Sequence, residues 1–285
     1  MNLAAIVTYN PNLDLLMKNI NAVYPQVDKI LIIENNSNNQ KDIINIIKKS
    51  KLEVEIILNS NNFGIAEALN QALEYAKFNH YSWLLTLDQD SVCPFDMISN
   101  YEEFLNNCNN RNDILLLCPD IQDINMKDSK ISKPEAEEII VAITSGSYLN
   151  VENSLHIGGF LKELFIDYVD FEFCLRGKKE SLRIIKLNNI VLSHQLGSII
   201  EKRIFGYNLI ITNHSPIRRY YLFRNKIYIY KRYWRIYRQW VIRNIFSSIK
   251  VILVILFYED RKGENLKNII KGLKDGFNLK AEIKK

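Results

Sequence analysis

Trp83-Leu84-Leu85-Thr86-Leu87-Asp88-Gln89-Asp90-Ser91 reads as an apolar strand that delivers two carboxylates at its C-terminal end. In an open α/β sheet, ligands bind in the crevice beyond the carboxyl ends of the strands, so Asp88 and Asp90 point where chemistry would take place. Alternate residues of an extended chain face opposite ways. At a strand end, however, the chain turns, and both acids can address one hard cation through oxygen. A D-x-D sequence is common by itself, so the surrounding elements decide its meaning.

Upstream, Leu3 to Val7 is an apolar run that stops at Thr8-Tyr9-Asn10-Pro11, where Asn-Pro marks a turn. Leu13, Leu16, Met17, Ile20 and Val23 recur at helical spacing, and Ile30 to Ile33 supply a second buried strand ending in Glu34-Asn35-Asn36-Ser37. Residues 41 to 50 read as helix, Leu52 to Leu58 as extended, and Asn59 to Gly64 as a polar loop with Gly64 available for positive φ. A helix from about Ile65 to Phe78 leads into the Trp83 strand. This β-α-β-α-β-α-β order predicts a mostly parallel, doubly wound α/β sheet with flanking helices. Its polar loops, including Asn61 to Gly64, all follow strand C-termini, so one crevice can gather them. A nucleotide would suit that crevice. No G-x-x-x-x-G-K-[ST] or G-x-G-x-x-G appears, which leaves a P-loop or dinucleotide fold without support.

Composition is ordinary for a globular chain of 285 residues, with 47% apolar and 24% charged residues. Cys93, Cys108, Cys118 and Cys174 show no C-x-x-C spacing and read as reduced thiols of a cytoplasmic protein, without a zinc site. The N-terminus lacks a basic region followed by a long apolar core, so it reads as a first strand and not as a secretory signal.

After Pro94 the pattern loosens. Residues 96 to 107 read as helix, Ile114 to Leu117 as strand, Gln122 to Glu138 as exposed loop, and Ile139 to Thr144 as a further strand ending in Ser145-Gly146-Ser147. Asp167, Asp170, Glu172 and Arg176 then crowd one short segment. Arg183 to Leu187 and Ile190 to Leu192 are extended, and His194 follows in Ser193-His194-Gln195-Leu196-Gly197.

Six segments in this order resemble the family 2 glycosyltransferases of the GT-A fold, and most closely the bacterial rhamnosyltransferase-like branch. They are Val7-Thr8-Tyr9-Asn10-Pro11, Asn62-Phe63-Gly64-Ile65-Ala66 with Ala68-Leu69-Asn70, Leu87-Asp88-Gln89-Asp90-Ser91, Phe165-Ile166-Asp167-Tyr168-Val169-Asp170 through Arg176, the His194 segment, and His214-Ser215-Pro216-Ile217-Arg218-Arg219-Tyr220-Tyr221 to Arg224-Asn225. Two positions depart from the wider family: Glu34 stands where Asp is common, and Val169-Asp170 where Glu-Asp is common. The resemblance covers roughly residues 3 to 226, and it implies a GT-A domain over 1–215 followed by a helical segment over 216–285.

The resemblance implies an inverting transfer of a sugar, rhamnose from dTDP-rhamnose or a hexose from a UDP-hexose, onto a lipid-linked or growing cell-surface glycan. Mg²⁺ or Mn²⁺ would neutralise the donor diphosphate, with Asp90 as ligand, Asp88 meeting ribose or metal through water, and His194 completing the metal shell or serving a structural hydrogen bond. Thr8, Tyr9, Asn10, Glu34, Asn36, Asn62 and Gly64 fall to the nucleotide sugar, with Gly64 and Asn70 also readable as structural. Ser145, Gly146, Glu172 and Arg176 fall to the acceptor side. Asp170 is the expected general base, its acidity tuned by neighbouring Asp167 and Glu172, and Asp167 is the runner-up. A local pairing of Asp170 with Arg176 is the alternative.

Charge is asymmetric. Residues 216 to 258 hold ten of the 37 Lys/Arg and no Asp/Glu, leaving 27 basic residues against all 32 acidic ones elsewhere. Twelve of the 31 aromatics fall in the same stretch, the composition of an interfacial helix. Val251 to Phe257 gives seven apolar residues with Lys250 interrupting the run, which predicts a segment too short to span a bilayer. Peripheral binding to the anionic inner face of the cytoplasmic membrane is one expectation. Packing on the catalytic domain or on a second subunit of a homo-oligomer is the other. Two further classes fit parts of the chain. Leu84 to Val92 matches the hydrophobic-D-x-D-x-[TV] strand of haloacid-dehalogenase-like phosphatases, but no G-D-x-x-x-D follows and three β-α units precede it. The basic aromatic tail has the charge for nucleic acid but contains no recognisable module, so no nucleic acid partner is expected.

Overall fold

The computed structural model describes residues 1–123, 134–194, 200–204, 207–211 and 213–280, with side chains for 1–121, 134–192 and 213–280. The chain divides into two compact units. The first takes in Met1–Phe165 and Val169–Gln195, and the second Ile166–Tyr168 and Leu196–Glu282.

The first unit alternates as the apolar periodicity predicts: β1 (Asn2–Thr8), α1 (Leu13–Val23), β2 (Lys29–Glu34), α2 (Gln40–Ser50), β3 (Val54–Leu58), α3 (Gly64–Phe78), β4 (Trp83–Asp88) and α4 (Met97–Asn107). It continues with β5 (Ile114–Asp123), β6 (Ala136–Glu138), β7 (Ser147–Asn150), α5 (Val151–His156), α6 (Val169–Lys179) and β8 (Arg183–His194). The eight strands form one sheet in the order β3-β2-β1-β4-β7-β5-β8-β6. The first four are parallel, as are β5 and β8, while β7 runs antiparallel between β4 and β5. Register places Thr8 beside Glu34, Glu34 beside Leu58, and Val7 beside Asp88, so the carboxyl ends of four strands finish together.

Helices seal the faces. Ala4, Ile6, Ile30, Ile32, Leu85 and Leu87 pack with Leu16 and Ile20 of α1, Ile43 and Ile47 of α2, and Met97 and Tyr101 of α4. Each such apolar side chain removed from water contributes roughly 1.5–3 kcal/mol, which fixes the helices to the sheet and the strand ends to one another. Asn12 caps α1, its side chain accepting from the Asp14 and Leu15 N–H groups.

Three expectations need correction. Residues 139–146 form no strand; the strand begins at Ser147, because Gly146 turns at φ +80° and its N–H bonds to the Thr86 carbonyl at 2.8 Å. A Cβ at Gly146 would lie 2.8 Å from Pro119 Cγ, so that turn requires glycine. Ala136–Glu138, expected in a loop, pairs with β8 as an edge strand. The two extended pieces after Arg183 are one strand whose register slips between Pro119 and Asp120 of β5, which places Asn188 to Ile190 in the irregularity.

The second unit holds a hairpin of β9 (Ile200–Ile204) and β10 (Tyr207–Ile211), followed by α7 (Pro216–Tyr233), α8 (Arg238–Tyr258) and α9 (Lys262–Asn278). Ser215 caps α7, with Pro216 at the position where a missing N–H costs nothing. Helices α7 and α9 approach closely because Gly272 and Gly276 offer no side chain: a Cβ on either would lie 2.4 Å from the Tyr220 or Arg224 carbonyl oxygen. Buried Arg219 pairs with Glu259, and Asn265 donates to the other Glu259 oxygen at 2.8 Å. The 21 residues of α8 run without a break, since Lys250 is exposed and leaves the helix intact. By length and composition α8 can cross a membrane, contrary to the seven-residue estimate.

Candidate functional site

The carboxyl ends of β1, β2, β3 and β4 are stitched together by their loops. Asn10, at φ +50°, donates its N–H to Ser37 Oγ at 2.8 Å, and its side chain accepts from the Asn38 N–H at 2.7 Å. The Tyr9 N–H bonds to the Gln89 side chain at 2.9 Å, tying the β1 loop to the D-x-D loop, while the Tyr9 ring is exposed. Asn36 is exposed in a left-handed turn at φ +63°. Thr8 is fully buried at the end of β1, and its hydroxyl has no hydrogen-bond partner.

Glu34 is fully buried, and its carboxylate is occupied by its own loop. It accepts from the Asn36 N–H at 3.1 Å, the Ser37 N–H at 2.7 Å and the Gln40 side chain. Below it lies a set of amides that the sequence reading passed over. Asn35 donates to the Gly64 carbonyl at 3.2 Å, Asn59 donates to the Asn35 side chain at 2.8 Å, and Gln71 and Asn59 exchange two bonds at 2.9 and 3.0 Å. Asn59 and Gln71 join the end of β3 to α3. Their signal was present as an Asn at a strand end facing a Gln on the first turns of the next helix.

Asn62 accepts from the Gly64 N–H at 2.9 Å, an Asx turn that opens α3. Gly64 sits at φ +85° with its missing Cβ only 2.5 Å from the Phe165 carbonyl, which also accepts from the Ile65 N–H at 2.8 Å. The position is therefore structural: it lets the Phe165 strap cross the start of α3. Asn70 is structural too, exchanging bonds of 2.8 and 2.7 Å with the Phe160 backbone.

Asp88 and Asp90 leave β4 half-buried. The Asp88 N–H bonds to Ser145 Oγ at 3.2 Å, Ser145 donates to Ser91 Oγ at 2.7 Å, and Asn19 of α1 donates to the Asp88 carbonyl at 2.7 Å. Ser145 and Gly146, expected on the acceptor side, thus lie against the D-x-D turn and hold it. Asp170, in the first turn of α6, lines a narrow cavity with Ile143, Thr144, Ser147 and Cys174, and accepts from the Phe171 N–H at 2.8 Å. The 143–147 loop therefore reaches from Asp170 to the end of β4, where Thr86 donates to the Thr144 carbonyl at 2.6 Å.

Glu172 and Arg176 point elsewhere. Both are buried and paired at 2.7 Å, and the guanidinium also donates to the carbonyls of Ile157 and Gly159, clamping the loop before Phe160. An acceptor-side role does not suit groups held this far from solvent, and the Arg176 guanidinium directs its N–H donors to Glu172, Ile157 and Gly159. Asp167 belongs to the second unit, where Arg218 grips it with bonds of 3.0 to 3.3 Å and Asn225 donates to the Ile166 and Asp167 carbonyls at 2.9 and 2.8 Å. The two carboxylates expected to tune Asp170 are thus each matched by a guanidinium. His194 ends β8, and its side chain lies outside the described residues. Burial, then Arg218 and Arg219, push His214 down to about 4. Burial pushes the Cys118 thiol up to about 12 and raises Cys174 as well, so neither thiol is a ready nucleophile.

The chemistry of the donor set fits a divalent cation delivered with a nucleotide. Asp88 and Asp90 offer hard oxygen at a strand end, and among the described residues no group of three His, Cys, Asp or Glu side chains forms a closed cage. Phosphate oxygens and water would supply the other ligands. A roomy concavity of about 1000 Å³ lies at the opposite end of the strands, lined by Asn2, His80, Trp83 and Glu102. The crevice rule and the clustered carboxylates favour the carboxyl end for chemistry.

Residues 4–150, just over half the chain and including the D-x-D strand end, match the family model described as "Glycosyl transferase family 2". The chain is a family 2 glycosyltransferase. It is rhamnosyltransferase-like, being 29% identical over 292 residues to the dTDP-rhamnosyl transferase RfbF of Shigella flexneri, with 96% of this chain and 94% of that protein covered. Two solved structures share the GT-A fold of this glycosyltransferase. GalNAc-T7 with UDP, GalNAc and Mn²⁺ aligns with a TM-score of 0.63 at 15% identity over 98% of this chain, which spans 56% of that one. The mannosyltransferase PcManGT of Pyrobaculum calidifontis with GDP-Man and Mn²⁺ aligns at 0.56 and 12% identity, covering 97% of this chain and 84% of the other.

Proposed function

We propose that this glycosyltransferase moves L-rhamnose from dTDP-rhamnose, with inversion, onto a lipid-linked or growing cell-surface polysaccharide on the cytoplasmic side of a membrane. The near full-length similarity to a dTDP-rhamnosyl transferase supports the sugar. The observation that carries the chemistry is the 143–147 loop, which borders Asp170 on one side and holds the Asp88 backbone on the other.

In this reading Asp170 accepts the proton of the acceptor hydroxyl as its oxygen forms a bond to the anomeric carbon. The bond from that carbon to the diphosphate oxygen breaks, and the diphosphate leaves with the bonding pair. Inversion follows from attack on the face opposite the leaving group. Asp90, with Asp88, would hold Mg²⁺ or Mn²⁺, whose charge stabilises the departing diphosphate. The unpartnered Thr8 hydroxyl, the Tyr9 ring, Asn10, Asn36 and Asn62 are assigned to the nucleoside, and buried Glu34 shapes the loop the base meets. Asp167, gripped by Arg218, is the weaker base.

Calorimetric titration with dTDP, UDP, GDP and their sugars, each with and without Mg²⁺ or Mn²⁺, tests the donor. Metal-dependent dTDP-sugar binding that disappears in Asp90→Ala is expected. Preference for UDP would keep the reaction class and replace rhamnose with a hexose, and metal-independent binding would remove Asp90 from its role.

A further inference from the structure

We propose that α8 lies flat on an anionic lipid bilayer through an outward face formed by Arg243, Phe246, Ile249, Lys250, Leu253 and Phe257. The spacing of these residues keeps them on one side of a helix. All six are exposed, Phe246 by 62%, Leu253 by 48% and Phe257 by 68%, and Trp234 and Ile236 extend the apolar exposure into the turn before α8.

The opposite face is committed to the protein. Val241, Ser248 and Ile255 are buried at intervals of one heptad, and Ser248 accepts from buried Lys226 at 2.9 Å. Phe223 and Ile255 pack with Ile269 in a small core of their own. Insertion across a bilayer would carry Arg243 and Lys250 into hydrocarbon and strip these contacts, whereas a helix lying in the interface keeps them. Charge selects the surface. With Arg235, Arg238, Arg243 and Lys250 exposed and no acid from 216 to 258, this stretch suits anionic headgroups.

The inference goes beyond the donor reading and does not depend on it, since the probe is a vesicle and not a nucleotide. The full chain is floated with phosphatidylcholine vesicles, with and without phosphatidylglycerol. Binding to the anionic vesicles only, weakened by salt, is expected. Arg243→Gln with Lys250→Gln lowers it by on the order of 30-fold at low salt. Phe246→Ser with Leu253→Ser and Phe257→Ser abolishes it while thermal unfolding is unchanged, and Phe78→Ser, an exposed aromatic on α3, leaves it intact. Absence of flotation, equal binding to neutral vesicles, or retention by the triple variant overturns the proposal. So does resistance to carbonate extraction from cell membranes, which would mean that α8 spans. A dimer in light scattering that the triple variant converts to monomer would instead assign the face to a second copy of the chain.

Discussion

In the sheet unit, polar side chains stand at the ends of strands and bond to the backbone of neighbouring loops: Glu34 to Asn36 and Ser37, Asn62 to Gly64, Ser145 to Asp88. In the helical unit, polar side chains are packed between helices, where Arg219 meets Glu259 and Asn265, Asn225 holds two carbonyls, and Lys226 is covered by aromatic rings. The same residue types thus serve to shape loops around a crevice in one unit and to fix helix packing in the other. What distinguishes them is the partner: the backbone of neighbouring loops in the sheet unit, and chiefly the side chains of neighbouring helices in the helical unit.

The sharpest break of that comparison is at Asp170. If it is the base, Asp170→Asn lowers turnover by on the order of 10²–10⁴, while metal-dependent nucleotide binding stays within a few-fold. A steady-state assay beside calorimetry separates the two. Full activity in that variant, with loss in Asp167→Asn, would shift the role to the residue gripped by Arg218.

Glu172 and Arg176 lie in the same α6 segment yet behave like the helical unit, buried and mutually satisfied. Glu172→Gln or Arg176→Met leaves a buried group uncompensated and costs about 3–5 kcal/mol in urea unfolding. A raised acceptor KM with no change in unfolding would restore them to the acceptor side.

Helix packing gives a smaller effect. Gly276→Ala drives a methyl into the Arg224 carbonyl and costs about 1–3 kcal/mol, whereas Gly263, with open space around it, gains up to about 1 kcal/mol on substitution by Ala. Equal effects at both positions in thermal unfolding would mean that α7 and α9 do not meet through these glycines.

These contrasts show what the sequence makes legible. The parallel half of the sheet follows from apolar runs alternating with helical periods, and Asp88 and Asp90 were placed by the strand that precedes them. The apolar run Ile139 to Thr144 looks more strand-like than Ser147–Asn150, yet it is the latter, set by the Gly146 turn that no local pattern reveals, that pairs with β4. Glu172 and Arg176, expected on the acceptor side, pair with each other in the interior, and their four-residue spacing is the same inside and outside a protein. The Asn35, Asn59 and Gln71 network joins residues 24 and 12 apart, a relation visible only after folding. In the tail, ten basic residues overstate the surface charge, since Arg219 and Lys226 are interior.

Lys226 offers the finest test of that last contrast. Burial, and then Arg219, push its ammonium down to about 8, with Asp167 opposing, while the ammonium donates a hydrogen bond to Ser248 Oγ and the Tyr168 and Phe223 rings lie 5.6 and 5.2 Å away. The unfolded chain holds this proton up to the ordinary lysine value near 10.4, so between about pH 8 and that value the unfolded state binds more protons than the folded one. Stability therefore rises with pH across the window, by about 1 kcal/mol from pH 8 to pH 9. Other lysines and tyrosines titrate nearby, so the readout is the difference between the wild-type chain and Lys226→Met in urea midpoints over this range. A difference that narrows as pH rises assigns the cost to the buried ammonium. A constant difference would mean that Lys226 is charged at no penalty, and that its surroundings are as wet as those of the exposed cations on α8.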